Sequence, residues 1–190
     1  MPDLQDALQA LAEWLDREHV PYMVIGGFAA TMWGEPRFTR DLDVTVLVAD
    51  ERLDSVVRQL CSDFTALVAD PLRFVGETRV LPLMVVSTPV DVIFAALPYE
   101  EQAIARARTI KLSRRDVQVC SPEDLILHKI VSPRPRDHDD VESIFRHRSA
   151  DLDFAYLDPR VEELADALAD RTMLDRYRAL RSRWRKAPQG

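Results

Sequence analysis

Three acids and a pair of glycines carry the chemistry this sequence advertises. The first block is Val24-Ile25-Gly26-Gly27; thirteen residues later stands Asp41-Leu42-Asp43; further on, Asp91 interrupts the apolar run Pro89-Val90-Asp91-Val92-Ile93-Phe94. If Asp41–Val48 (DLDVTVLV) is a strand, Asp41 and Asp43 point to one side, about 7 Å apart. Two carboxylates so placed offer oxygen ligands to a hard cation such as Mg2+. Without a cation they repel, and one tends to protonate. A Gly-Gly between a strand and a helix lets a phosphate approach the backbone, where the helix N-terminus supplies free N–H groups and a positive dipole. Asp91, read as a buried charge on an apolar strand, costs several kcal/mol unless something compensates it, and a metal shared with Asp41 and Asp43 would do so. Magnesium, triphosphate and three strand-borne acids together describe nucleotidyl transfer through metal ions.

The elements that must hold these residues are legible from periodicity and punctuation. Residues 3–18 read as a helix, with Asp3 as cap and Leu4, Leu8, Leu11 and Leu15 at helical spacing. Tyr22–Ile25 reads as a short strand, Phe28–Trp33 as one or two helical turns, and Glu51–Leu60 as a helix. Val80–Val86 and Val90–Ala95 are β-branched runs bounded by prolines, hence strands. Glu100–Arg106 reads as helix, and Thr109–Leu112 with Val117–Cys120 as a hairpin. Ser121-Pro122-Glu123-Asp124 is a helix start, with Ser as cap, Pro at the first position and acids in the first turn. That helix runs to about Val131. Another covers about 136–147, and two more carry Val161, Leu164, Ala165 and Leu168, then Leu174, Tyr177, Leu180 and Trp184. The expected fold is therefore α/β (α+β by strict class). It has a short, mixed, twisted sheet with helices over 1–120 and a helical part over 121–190.

The acids and glycines lie in a pattern that resembles the DNA polymerase β-like nucleotidyltransferases, and more narrowly the AbiEii-type nucleotidyltransferases, which include toxins of toxin–antitoxin systems. Their Arg-x-Thr-x-Asp-x-Asp motif stands here as Arg37-Phe38-Thr39-Arg40-Asp41-Leu42-Asp43. Their later Lys and Arg-Asp-x-x-Asp stand as Lys129 and Arg136-Asp137-His138-Asp139-Asp140. The resemblance covers about residues 20–145. It implies that Asp41, Asp43 and Asp91 are catalytic and bind Mg2+ or Mn2+, with Asp91 taking part in deprotonating the acceptor. It also implies that Gly26, Gly27, Arg37, Thr39, Lys129 and Asp140 serve the nucleotide, Asp140 orienting Lys129 or touching the nucleotide itself. The implied substrates are an NTP such as ATP and an acceptor hydroxyl on tRNA or other RNA, a protein or a small molecule, with a cognate antitoxin as partner. Antibiotic modification and a silent nucleotide-binding module are the other readings. On Lys129 itself the residues leave snorkelling open, since its helix is otherwise apolar. Asp137 reads as an acid favoured near a helix N-terminus.

Composition narrows the remaining classes. Five glycines in 190 residues and the absence of either fingerprint speak against Rossmann and P-loop folds. Two cysteines make no disulfide framework, and no Cys/His cluster has zinc spacing. The acidic N-terminus is unlike a signal peptide and no apolar run is long enough to span a membrane, so a cytoplasmic protein without membrane partners is expected. The net charge of −7 divides unevenly: residues 171–187 hold seven basic residues and one acid. Such a segment is either a polyanion contact or a solvated helix face.

Overall fold

The computed structural model describes residues 2–184. The elements run α1 (Pro2–Arg17), β1 (Tyr22–Ile25), α2 (Gly26–Trp33), β2 (Leu42–Val46), α3 (Asp50–Asp63), β3 (Thr65–Ala66), α4 (Pro71–Thr78), β4 (Val80–Val85), β5 (Thr88–Phe94), α5 (Pro98–Ala105), β6 (Arg108–Lys111), β7 (Asp116–Val119), α6 (Pro122–Ile130), α7 (Pro135–Arg148), α8 (Phe154–Leu168) and α9 (Arg171–Trp184). Asp3, expected as the first helix cap, lies outside the described side chains, and Arg185 and Lys186 of the basic segment lie outside the described residues.

Two compact units emerge. The first comprises the chain up to Phe28 together with Phe38–Cys120; the second comprises Ala29–Arg37 and the chain from Ser121 on. The mixed α/β fold is as the sequence reading expects.

In the first unit seven strands form one mixed sheet in the order β3-β4-β5-β2-β1-β7-β6. β1 runs antiparallel to β2 and parallel to β7; β2 runs parallel to β5. The central strands are buried at Leu42 and at the β-branched Val24, Val44, Val46, Val90 and Val92, the composition that suits a strand packed on at least one face. The helical spacing in α1 has its consequence: Leu8, Leu11 and Leu15 are fully buried, each worth about 1.5–3 kcal/mol relative to exposure. Trp14 joins that core and its indole N–H donates to Asp63 Oδ2 at 2.8 Å.

β2 begins at Leu42, one residue later than its apolar pattern suggests. Asp41 therefore sits in the preceding coil, where the Thr39 hydroxyl donates to its carboxylate at 3.1 Å. The local side-chain bond competes with extension of the strand. The α4 helix and the two-residue β3 are additions to the sequence reading. α4 starts on the Asp70 cap, whose carboxylate accepts from Arg73 N at 3.2 Å, with Pro71 next.

In the second unit, Ser121 caps α6: its Oγ accepts from Asp124 N at 3.0 Å and donates to Asp124 Oδ2 at 2.6 Å. The same carboxylate accepts from Tyr156 Oη at 2.6 Å, and Glu123 Oε1 accepts from Asp153 N at 2.8 Å. These bonds tie the two buried acids of the first turn of α6 to the start of α8, offsetting part of the cost of burying them. Segment 29–37 is fastened to α7. Glu35 N donates to Ser143 Oγ at 2.6 Å, Arg148 lies over the Trp33 ring at 5.6 Å, and a Cβ on Gly34 would meet Ser143 Oγ at 2.7 Å.

The basic segment is neither bare nor simply solvated. Arg178 pairs with Glu162 at 3.0 Å, Arg181 with Asp158 at 2.7 Å and Arg183 with Glu142 at 2.8 Å, so α9 spends these charges on α8 and α7.

Candidate active site

The register of the sheet assembles the first cluster. Ile25 pairs with Asp43 across β1 and β2, and Asp43 pairs with Asp91 across β2 and β5. The chain leaves β1 at Gly26, whose φ of +65° is the left-handed conformation that glycine adopts without penalty. That turn brings the Gly26 Cα against the Asp43 carboxylate, and a Cβ there would overlap Oδ2. Gly27 follows as the second residue of α2, half-buried. The paired glycines, at the C-terminal end of β1, and two of the three acids therefore gather on the central strands β1, β2 and β5, and Asp41 with its Thr39 bond precedes the strand that carries Asp43.

Asp91 departs from the sequence reading. It is exposed, not buried, because β5 alternates: Val90 and Val92 point into the core while Pro89 and Asp91 point out. Surrounding protein still desolvates its carboxyl and pushes its pKa up, and the negative charge of Asp41 adds to the shift. The compensation sought for a fully buried charge is not needed; what remains is partial desolvation, with repulsion from Asp41 second. The donors are all carboxylate oxygens, which suit a hard divalent cation such as Mg2+ or Mn2+. Among the described residues no three such groups are gathered into a closed metal cage. Asp41, Asp43 and Asp91 are neighbours of the right chemical kind rather than a preformed coordination shell.

A second cluster lies in the second unit and joins Arg37, Lys129 and Asp140. Lys129 does not snorkel: its side chain is 8% exposed, and Nζ lies 2.6 Å from Asp137 Oδ1 and 2.8 Å from Asp140 Oδ2. Arg37 clasps Asp140 in bidentate fashion, Nε to Oδ1 at 2.7 Å and Nη2 to Oδ2 at 2.8 Å. Burial pushes both acids up, but the hydrogen bonds and charges outweigh it. Asp140 lies below its ordinary value because of Arg37 and Lys129. Asp137 lies at about 2 because Lys129 and Ser132 donate to it, with Lys129 and Arg134 adding charge. Asp137 is the residue that sequence reasoning undervalued. It stands in the quoted Arg-Asp-x-x-Asp pattern, yet its place near a helix start supplied a sufficient local explanation. Arg40, by contrast, is exposed, its guanidinium 5.7 Å from the Phe38 ring.

Residues 2–189 match the family described as nucleotidyltransferase of unknown function (DUF6036). The chain belongs to this family. As a fold, this DUF6036 nucleotidyltransferase is similar to an antigenic nucleotidyltransferase-like protein from Paracoccidioides brasiliensis. The TM-score is 0.61 at 20% identity, over 94% of this chain and 92% of that one. It is also similar to the lincosamide antibiotic adenylyltransferase LnuA, solved with lincomycin, at a TM-score of 0.51 and 16% identity over 73% of this chain and 94% of that one. No curated protein matches the chain. No helix among the described residues is long and apolar enough to cross a membrane.

Proposed function

We propose that this DUF6036 nucleotidyltransferase transfers a nucleoside monophosphate from an NTP to an acceptor hydroxyl, using Mg2+ or Mn2+. The observation that carries the reading is the in-register pair Asp43–Asp91 beside the left-handed Gly26, with Asp41 close enough to raise Asp91. Asp41, Asp43 and Asp91 would hold the cation. When bound, it supplies positive charge at the phosphate and acceptor oxygens. Gly26 and Gly27 would serve the triphosphate through the backbone N–H groups at the start of α2, since a helix N-terminus favours an anion. Thr39 holds the Asp41 carboxylate, and the motif resemblance assigns Arg37, Lys129 and Asp140 to the nucleotide as well. The acceptor oxygen attacks the α-phosphorus, the bond from that phosphorus to the α,β-bridging oxygen breaks and pyrophosphate leaves. The acceptor proton passes to the Asp91 carboxylate, which stands opposite Asp43 on the neighbouring strand.

For the acceptor we favour the toxin-like reading, a macromolecular hydroxyl on tRNA or protein with a cognate antitoxin, on the strength of the Arg37–Asp43 motif. A small-molecule acceptor is the second reading, since LnuA, a relative in fold, is a lincosamide adenylyltransferase. The deciding experiment incubates purified protein with each α-labelled NTP, Mg2+, and total cellular RNA, protein or a panel of hydroxylated antibiotics. Label in one acceptor class with release of pyrophosphate is expected. Binding of NTP without transfer or pyrophosphate release in any combination would leave the silent binding module as the better account.

A further inference from the structure

The second cluster contains more charge than a phosphate contact requires, and its arrangement is unequal. Lys129 is buried on α6 and touches two carboxylates. Asp137 is saturated: Oδ1 takes Lys129, while Oδ2 takes Ser132 Oγ and Arg134 Nε, each at 2.7 Å. Asp140 is shared between Lys129 and Arg37. Arg37 lies in coil, with a side chain 23% exposed against 8% for Lys129.

Consider which cation can leave its carboxylate when a phosphate arrives. If Lys129 moved, a buried ammonium would abandon two acids at once, and Asp137 would keep only its contacts at the more exposed edge. If Arg37 moved, Asp140 would still be held by Lys129, so no buried charge would be stranded. Arg37 also has the planar fork that fits phosphate as well as carboxylate.

We propose that Asp137 is a positioning residue that anchors the Lys129 ammonium, and that Arg37 is the cation that exchanges Asp140 for a phosphate oxygen of the nucleotide. The inference rests on the nucleotidyl-transfer reading above and assigns the division of labour within it. Lys129 is the fixed charge, set by Asp137 before substrate arrives. Arg37 is the movable one, and Asp140 is its parking site. Nucleotide affinity then depends on Arg37, and placement of Lys129 in the transition state depends on Asp137.

The test is a kinetic cycle on full-length protein with the NTP that the wild type uses. Asp137→Asn is expected to lower kcat about tenfold or more. Lys129→Met lowers it at least as far, and the double variant is no worse than Lys129→Met alone, because both single changes remove one function. A residue that only stabilises the fold would give losses that multiply in the double variant, and that outcome overturns the anchor. Arg37→Gln is expected to raise KM about tenfold with kcat within about threefold, since it contributes to ground-state binding. A fall in kcat at unchanged KM would instead overturn the exchange. Should Asp137→Asn not fold, the Arg37→Gln measurement still decides the exchange, and Ser132→Ala, which removes one donor to Asp137, takes its place in the cycle. A wild type that transfers no nucleotide refutes the underlying reading; an active wild type with multiplying losses refutes this inference alone.

Discussion

Gly26 lies against the carboxylate of Asp43 with no room between them for a methyl group. The pair links the glycine turn to the central strands that carry the acids, and it makes Gly26 irreplaceable on two independent grounds. A non-glycine residue at φ +65° costs roughly 1–2 kcal/mol, and the overlap adds about 1–3 kcal/mol or displaces the carboxylate. Gly26→Ala should lower the melting temperature and abolish transfer together. Gly76→Ala is the control: it lies exposed in α4 with nothing within 4 Å of an added Cβ, so it should gain about 0.5–1 kcal/mol and leave transfer unchanged.

The α9 arginines give a prediction about what that helix does not do. Arg181 makes a bidentate pair with Asp158, which also accepts from Tyr177 Oη, and its guanidinium stacks 4.2 Å from the Phe154 ring centre. Arg181→Gln should cost about 1 kcal/mol of unfolding free energy, above the usual value of an exposed pair because geometry and stacking are both favourable. If RNA is the acceptor, the same change should leave the log–log salt slope of RNA binding unaltered, since a phosphate contact would contribute nearly one unit. A slope reduced by one unit would reassign Arg181 to nucleic acid.

Local signals in the sequence reached the elements and stopped at the distances between them. Ser121-Pro122 marks the start of α6 because a cap and a fixed φ act within one turn, and the Leu spacing of α1 marks its buried face for the same reason. Asp91 shows the opposite case. Its apolar neighbours suggest burial, but the two-residue alternation of β5 turns it outward, and only the strand pairing shows which face is which. Lys129 and Asp137 are eight residues apart with two prolines between, so their 2.6 Å contact depends on how α6 packs on α7. No periodicity encodes that angle. The missing α4 is a propensity problem: PLRFVGET carries a glycine and a single buried position, Val75, too little pattern to read.

Asp137 supplies an acid-stability signature. Its carboxyl is held at about 2 by Lys129, Ser132 and Arg134 against the opposing effect of burial. A depressed carboxylate contributes stability that is present above its unfolded value, about 3.9, and is lost as pH falls through the folded one. The contribution is about 2 kcal/mol at neutral pH. Urea midpoints should therefore fall between pH 4 and pH 2 in the wild type. In Asp137→Asn the midpoint should start lower at pH 7 and change less over that interval. Parallel pH curves for the two proteins would show that the pair does not contribute to stability.

The acids of the first cluster make the sharpest contrast between folding and chemistry. Asp91 has a raised pKa, from desolvation first and Asp41 second. A raised carboxyl stabilises the fold below its unfolded pKa, and that contribution is lost as pH rises through the folded value. At pH 7 the ionised group is therefore a burden on the cation-free protein. Asp91→Asn should raise the melting temperature there, and the gain should vanish as pH falls below the ordinary carboxylate range. Asp43→Asn should likewise fold with unchanged or slightly higher stability, since it removes a like charge. Function should move the other way. Mg2+ with a non-hydrolysable NTP should stabilise the wild type by about 2.7 kcal/mol at a hundredfold excess over Kd, and each variant should lose most of that shift. Transfer should fall about a hundredfold or more in Asp43→Asn, in Asp91→Asn and in Asp41→Asn, with little further loss in combination, because groups that hold one cation act as a unit. A folded Asp43→Asn protein that keeps both the Mg2+-dependent shift and near wild-type turnover would remove Asp43 from the cation site and leave its contact with Gly26 as a purely structural one.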